Sequence, residues 1–143
     1  MGHIPLKIRD IVRQRAVWRC EYCLVPEAYH PIPHFHVEHI FSQKHGGLTE
    51  LPNLALACPE CNWKKGTIIG SRKHPRGKFI RLFNPRDDVW QQHFGFNWAI
   101  VRPKTEIGEI TCKILGLNDD FRISFREYLM LRGVYPQLPI KTP

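Results

Sequence analysis

No stretch of this chain approaches the roughly 18 consecutive apolar residues of a membrane-spanning helix, and the opening MGHIPLKIRD lacks the apolar core of a secretory signal. The expectation is a soluble cytoplasmic protein with no membrane partner. Acid is scarce as well: 13 Asp and Glu stand against 21 Lys and Arg, for a net charge of +8 and a pI near 9.5. Such a balance favours polyanions, nucleic acid or an acidic membrane face, and charge alone does not choose between them. An even cysteine count is also missing. Of the five, Cys20 and Cys23, then Cys58 and Cys61, form two C-x-x-C pairs, while Cys112 stands apart. An odd number with two tight pairs argues against a disulfide framework and for metal binding in a reducing compartment. Internal repeats and low-complexity segments are absent. With 43% apolar and 24% charged residues, the 143-residue chain can bury a core and suits one domain, or one domain with an appendage.

What is present centres on the cysteines and the residues between them. CEYC at 20–23 and CPEC at 58–61 are the pattern of a tetrahedral zinc site, because each short turn presents two thiolates to one ion. Zinc held this way contributes directly to folding. Between the pairs, and just past the second, runs FHVEHIFSQKHGGLTELPNLALACPECNWKK over residues 35–65. It places Glu38 beside His39, then Asn53, then Asn62 directly after Cys61. His39 precedes Asn53 by 14 positions, and Asn53 precedes Asn62 by 9.

Over residues 15–67 these letters and intervals resemble the HNH endonuclease family, a ββα hairpin that holds one divalent metal. The fold class expected is therefore α+β: a ββα-metal finger stapled by a four-cysteine zinc site, with an N-terminal helix and a C-terminal β-ribbon plus helix. The resemblance implies hydrolysis of a phosphodiester to a 5′ phosphate and a 3′ hydroxyl. A neutral imidazole can accept a proton from water near pH 7, which makes His39 the general base. Glu38 and the Asn62 side-chain oxygen are hard donors that suit Mg2+ or Mn2+. Asn53 is expected to bridge backbone groups of the loop carrying His39 and not to bind metal. For Glu38 and His39 both to serve one phosphate, the strand must end or bend there. Two departures stand out: Glu38 replaces a commoner aspartate and Ser42 a frequent proline.

Taken in order, Ile8, Ile11, Val12 and Ala16 predict a helix after Pro5, with Arg9, Arg13, Arg15 and Arg19 on a solvated or phosphate-binding face. His30 and His34 read as surface loop residues. His36 lies two positions before Glu38, on the same side of a strand, and is a candidate third ligand or phosphate donor. Phe35 to Ile40 reads as the first strand with Phe35 and Val37 inward, Gly46-Gly47 as a turn, 54–57 as the second strand, and 60–65 as the helix. From Lys64 to Arg86 eight basic residues occur without one acid. Lys64, Lys65, Arg72, Lys73, Arg76 and Lys78 are the expected phosphate contacts, on a loop made mobile by Gly70, Pro75 and Gly77.

Residues 1–75 are expected to form the nuclease core, and 76–143 an appendage packed on it across the short R-G-K joint. Residues 78–83 read as a strand, and Trp90, Phe94, Phe96 and Trp98 as core. Alternation at 110–114 predicts a strand burying Ile110, Cys112 and Ile114. Phe121, Phe125, Tyr128 and Leu129 predict a helix entered at 118–120 and stopped by Gly133, followed by a tail from Pro136 to Pro143. The function expected is a metal-dependent DNA endonuclease, with cutting of both strands requiring a second site, for example from a homodimer. A zinc-stabilised nucleic-acid-binding module without catalysis, or a nuclease for RNA or structured nucleic acid, are the alternatives.

Overall fold

A computed structural model describes residues 3–138, so most of the expected tail lies outside the described residues. Short helices mix with three small antiparallel ribbons in an α+β arrangement, and backbone contacts divide the chain into Met1–Ile69 and Gly70–Pro143. No helix among the described residues is long and apolar enough to cross a membrane.

The first unit opens with α1 (Leu6–Arg15), entered at Pro5. Val12 and Ala16 are buried, whereas Ile11 stays 37% exposed. The arginines expected in solvent or on phosphate do something else. Arg13 donates to Phe35 O at 2.8 Å, and Arg15 donates to Leu51 O at 3.0 Å and Leu54 O at 2.7 Å. A guanidinium offers a fork of donors, which lets one helix satisfy carbonyls at the edge of the neighbouring hairpin.

That hairpin pairs β1 (His36–His39) with β2 (Leu54–Ala57) in register His36 to Ala57, Val37 to Leu56, Glu38 to Ala55 and His39 to Leu54. All four residues of β2 are buried, so both of its faces are covered, and α1 and α2 (Pro59–Lys65) are both packed on the hairpin. Phe35 is buried, but Val37 is only partly so; Glu38 is the fully enclosed member of β1.

In the second unit β3 (Gly70–Ser71) pairs with β4 (Ile80–Arg81), so the R-G-K expected to join two domains lies within the turn of a ribbon. The expected boundary at 75/76 moves to 69/70 for that reason. α3 (Trp90–His93) leads into the ribbon β5 (Phe94–Asn97) and β6 (Ile100–Pro103). Trp90 and Phe94 are buried and Phe96 stacks on Trp90 at 5.3 Å, while Trp98 is 56% exposed and donates to Glu127.

The strand expected at 110–114 is instead part of α4 (Glu106–Ile114). Thr105 caps it by accepting from Gly108 N–H, and Ile107, Ile110 and Ile114 share one helical face against Ile80 and Leu82. Cys112 is consequently half-buried and lies off the most enclosed face. α5 (Asp120–Leu131) forms where expected, but arginines share its inward face with Leu129. Arg122 and Arg126 are buried, donating to Leu115 O and Ala99 O, while Phe121 and Tyr128 are 59% and 52% exposed. Carbonyls left unpaired around the preceding loops draw the arginines inward.

Candidate active site

The two cysteine pairs come together. The Sγ atoms of Cys20, Cys23, Cys58 and Cys61 all lie within 4.8 Å of one another, and all four residues are buried. Cys23 and Cys58 sulfurs are 3.7 Å apart. That is far beyond a disulfide bond of about 2.05 Å, and close to the edge of a tetrahedron of thiolates with metal–sulfur bonds near 2.3 Å, about 3.8 Å. In each pair the second amide donates to the first sulfur, Cys23 N–H to Cys20 Sγ at 3.5 Å and Cys61 N–H to Cys58 Sγ at 3.4 Å. Soft donors in this geometry fit zinc. Burial raises the Cys20 thiol well above its ordinary pKa, and hydrogen bonding among the thiols does the same to Cys58.

The first cysteine turn is fastened to the hairpin through Glu21, whose N–H donates to Leu56 O at 2.9 Å and whose carboxylate accepts from Leu56 N–H at 2.9 Å. The second turn is itself the start of α2, with Cys58 as the N-cap. Sequence order thus becomes spatial order: sulfur at one end, β2 in the middle, and His39 at the other end of the ribbon, opposite Leu54.

The loop beyond His39 is held by Asn53. Its Oδ1 accepts from Phe41 N–H at 2.8 Å, and its Nδ2 donates to Phe41 O and Leu48 O, each at 2.9 Å. Gly46 takes φ +96°, and a Cβ on Gly47 would lie 1.7 Å from Phe41 O, so glycine is required at the second position by contact and favoured at the first by conformation. Ser42 donates its hydroxyl to Thr67 O at 3.3 Å, a tie from this loop to the turn just past α2 that a proline at this position would not make.

His39 Nε2 is 2.8 Å from Thr49 Oγ1, which also accepts from Gln43 Nε2 at 3.3 Å. Nδ1 has no partner among the described residues. Partial burial, then the charge of Lys65, lowers the His39 pKa below its ordinary value, so the imidazole is neutral at pH 7.

Glu38 has other partners. Its Oε1 accepts from the Tyr22 hydroxyl, and its Oε2 from Lys65 Nζ at 2.9 Å. Lys65 Nζ also donates to His39 O at 2.9 Å. Burial pushes the Glu38 carboxyl above its ordinary pKa against the opposing pull of Lys65 and Tyr22. β1 ends at His39, as expected, but stays regular up to that point, so strand alternation still separates the Glu38 side chain from that of His39.

Asn62 is half-buried in the first turn of α2, and its carboxamide has no partner among the described residues. His36 is exposed at the far end of β1. His34 is exposed, as expected of a loop residue, but His30 is not: its side chain is 3% exposed and its Nε2 sits 2.9 Å from Glu60, pinning the proline-rich loop to α2.

The basic stretch changes most between sequence and space. Lys65 is 2% exposed and paired with Glu38, which takes it off the expected phosphate surface. Lys73 lies 2.8 Å from Glu109 and 3.4 Å from Glu106, and Lys78 lies 2.9 Å from Glu106. Helix α4 thus supplies the acids that 64–86 lacks. Arg72 donates to Pro75 O at 3.0 Å; Lys64 and Arg76 are exposed.

Sequence reading did not single out Tyr22 or Thr49, and marked Ser42 only as a departure from a frequent proline. Tyr22 carries a signal, since a residue between two zinc-type cysteines is confined near the hairpin; nothing local marks Thr49. Lys65 follows Cys61 by one helical turn, which announces a shared buried face.

The family model for HNH endonuclease matches residues 20–67. No curated protein and no solved structure matches the chain. The matched stretch, from Cys20 to Thr67, spans both cysteine pairs and the hairpin between them, and over it the chain is similar to HNH endonucleases.

Proposed function

We propose that the protein is a metal-dependent endonuclease that hydrolyses DNA phosphodiester bonds. The observation that carries this reading is His39 at the end of β1, with Nε2 against Thr49 and Nδ1 without a partner, on a loop that Asn53 braces. With the Nε2 proton directed to Thr49, the lone pair on Nδ1 takes a proton from water. Asn53 keeps that loop in shape. The open Asn62 carboxamide oxygen is the donor that would hold Mg2+ or Mn2+; Glu38, buried and already bound by Tyr22 and Lys65, would join it only on giving up one of those partners. When bound, such an ion neutralises charge on the phosphate and on the departing 3′ oxygen. The four cysteines hold Zn2+ as a structural ion. Lys64 contacts backbone phosphate close to the site, and Arg72 and Arg76 supply further phosphate contacts in the second unit, while Lys73 and Lys78, already paired with acids, and the buried Lys65 contribute little.

Supercoiled plasmid tests the proposal. Wild type should nick or linearise it with magnesium or manganese and leave it intact when the ion is omitted, and Asn62→Ala should lose the cutting while keeping its zinc and its fold. Wild type that binds plasmid but never cuts it with either ion would favour the second reading, a nucleic-acid-binding module without catalysis. One observation speaks for that reading: both Glu38 oxygens already have partners inside the protein.

A further inference from the structure

Helix α2 presents Asn62, Trp63 and Lys64 in succession, each turned about 100° from the last. Its buried residues are Cys61 and Lys65, one turn apart, so Trp63 stands on the side away from the hairpin. It is 84% exposed, more than any other large apolar residue described, and has no ring or hydrogen-bond partner among the described residues. Packing within the chain does not explain an indole held in water at this position. A second exposed aromatic, Phe41 at 45%, lies on the loop that follows His39, its ring 6.0 Å from that of His45. Ser42 to Thr67 at 3.3 Å and Lys65 to His39 O at 2.9 Å hold that loop against the end of α2. The basic residues exposed beside these aromatics are Lys44 and His45 on the loop and Lys64 on the helix; Lys65 is buried against Glu38, and Glu60, one turn before Trp63, is engaged by His30.

An aromatic face beside basic residues is the arrangement that takes a nucleobase, because stacking tolerates any base and the cations hold its backbone. In an unbroken duplex the base faces are covered by their neighbours. An exposed indole therefore stacks at least cost where a base is already unstacked, since entering an intact duplex must first open a base step. We infer that Trp63 stacks on an unpaired DNA base next to the scissile phosphate, so that the preferred substrate is DNA with a local single-stranded step, such as a gap. This rests on the nuclease reading for the position of the phosphate, but stacking itself needs no cleavage.

The test is equilibrium binding of the intact protein, in buffer without magnesium or manganese, to a labelled duplex and to the same duplex carrying a short single-stranded gap. Wild type should prefer the gapped DNA by about tenfold. Trp63→Ala should lose that preference while binding the duplex as before, and Trp63→Phe should keep most of it. Gapped DNA should quench tryptophan fluorescence in wild type and much less in Trp63→Phe. Equal affinity of wild type for both DNAs, or a preference that survives in Trp63→Ala, overturns the inference. A protein that never cuts but shows the Trp63-dependent preference refutes catalysis and not stacking; one that cuts without regard to Trp63 refutes stacking and not catalysis.

Discussion

Two side chains adjacent in sequence, Glu38 and His39, meet different surroundings, and the pH behaviour follows from that. His39 is held below its ordinary pKa, so its neutral form persists further into acid than that of a free histidine. The acid limb of the cleavage rate should fall below about pH 6.5, the ordinary histidine value, as a pH–rate profile under single turnover would show. Thr49→Val should lower the rate without weakening DNA binding, since Thr49 orients the ring and touches no substrate. Glu38 and Lys65 are a buried pair, so Lys65→Met leaves a carboxylate enclosed without its cation, at a cost of about 3–5 kcal/mol near pH 7. Burial already raises the Glu38 pKa and Lys65 opposes it, so the substitution raises it further. A raised folded-state pKa favours the native protein at low pH and penalises it as pH rises. The stability gap between Lys65→Met and wild type in denaturant titrations should therefore narrow as pH falls toward about 4.3, the ordinary value for glutamate. Asn53 was legible at this scale because an amide just before a returning strand has loop carbonyls within reach. Lys65 was not, because a run of charge read along the sequence does not say which members face inward.

Among the elements, the hairpin and its following helix lay open in the sequence, since glycine pairs, alternation and a proline after Cys58 mark their ends. The loop after His39 is the element on which the site depends, and Gly47 is its tightest point. Gly47→Ala would drive a methyl into Phe41 O and break the bridge from Asn53, and should lower both the melting temperature and the cleavage rate. Gly46→Asn, at a left-handed position that asparagine tolerates, should cost far less. Elsewhere pattern misled. Five residues of alternation at 110–114 fit a strand and a helix equally, and the Thr105 cap with its isoleucine face decided for the helix. In α5 the aromatic spacing named a helix but not its inward face, because carbonyls of the preceding loops recruit Arg122 and Arg126.

For the whole molecule, net charge +8 indicates affinity for polyanions but not where it resides. With Lys73 and Lys78 paired to Glu106 and Glu109, the exposed Arg76, and Lys64 for its place beside Asn62, are the more telling positions. Lys64→Ala and Arg76→Ala should each reduce the salt dependence of DNA affinity by about one phosphate contact, while Lys78→Ala should change it little, as fluorescence anisotropy across a salt series would report. The account as a whole depends on an imidazole removing a proton from water. Single-turnover cleavage by His39→Ala, with and without added imidazole, measures that most directly. The account predicts a rate lowered by about a hundredfold or more and partly restored by imidazole, with zinc content and DNA affinity unchanged. Cleavage by His39→Ala at the wild-type rate would contradict it.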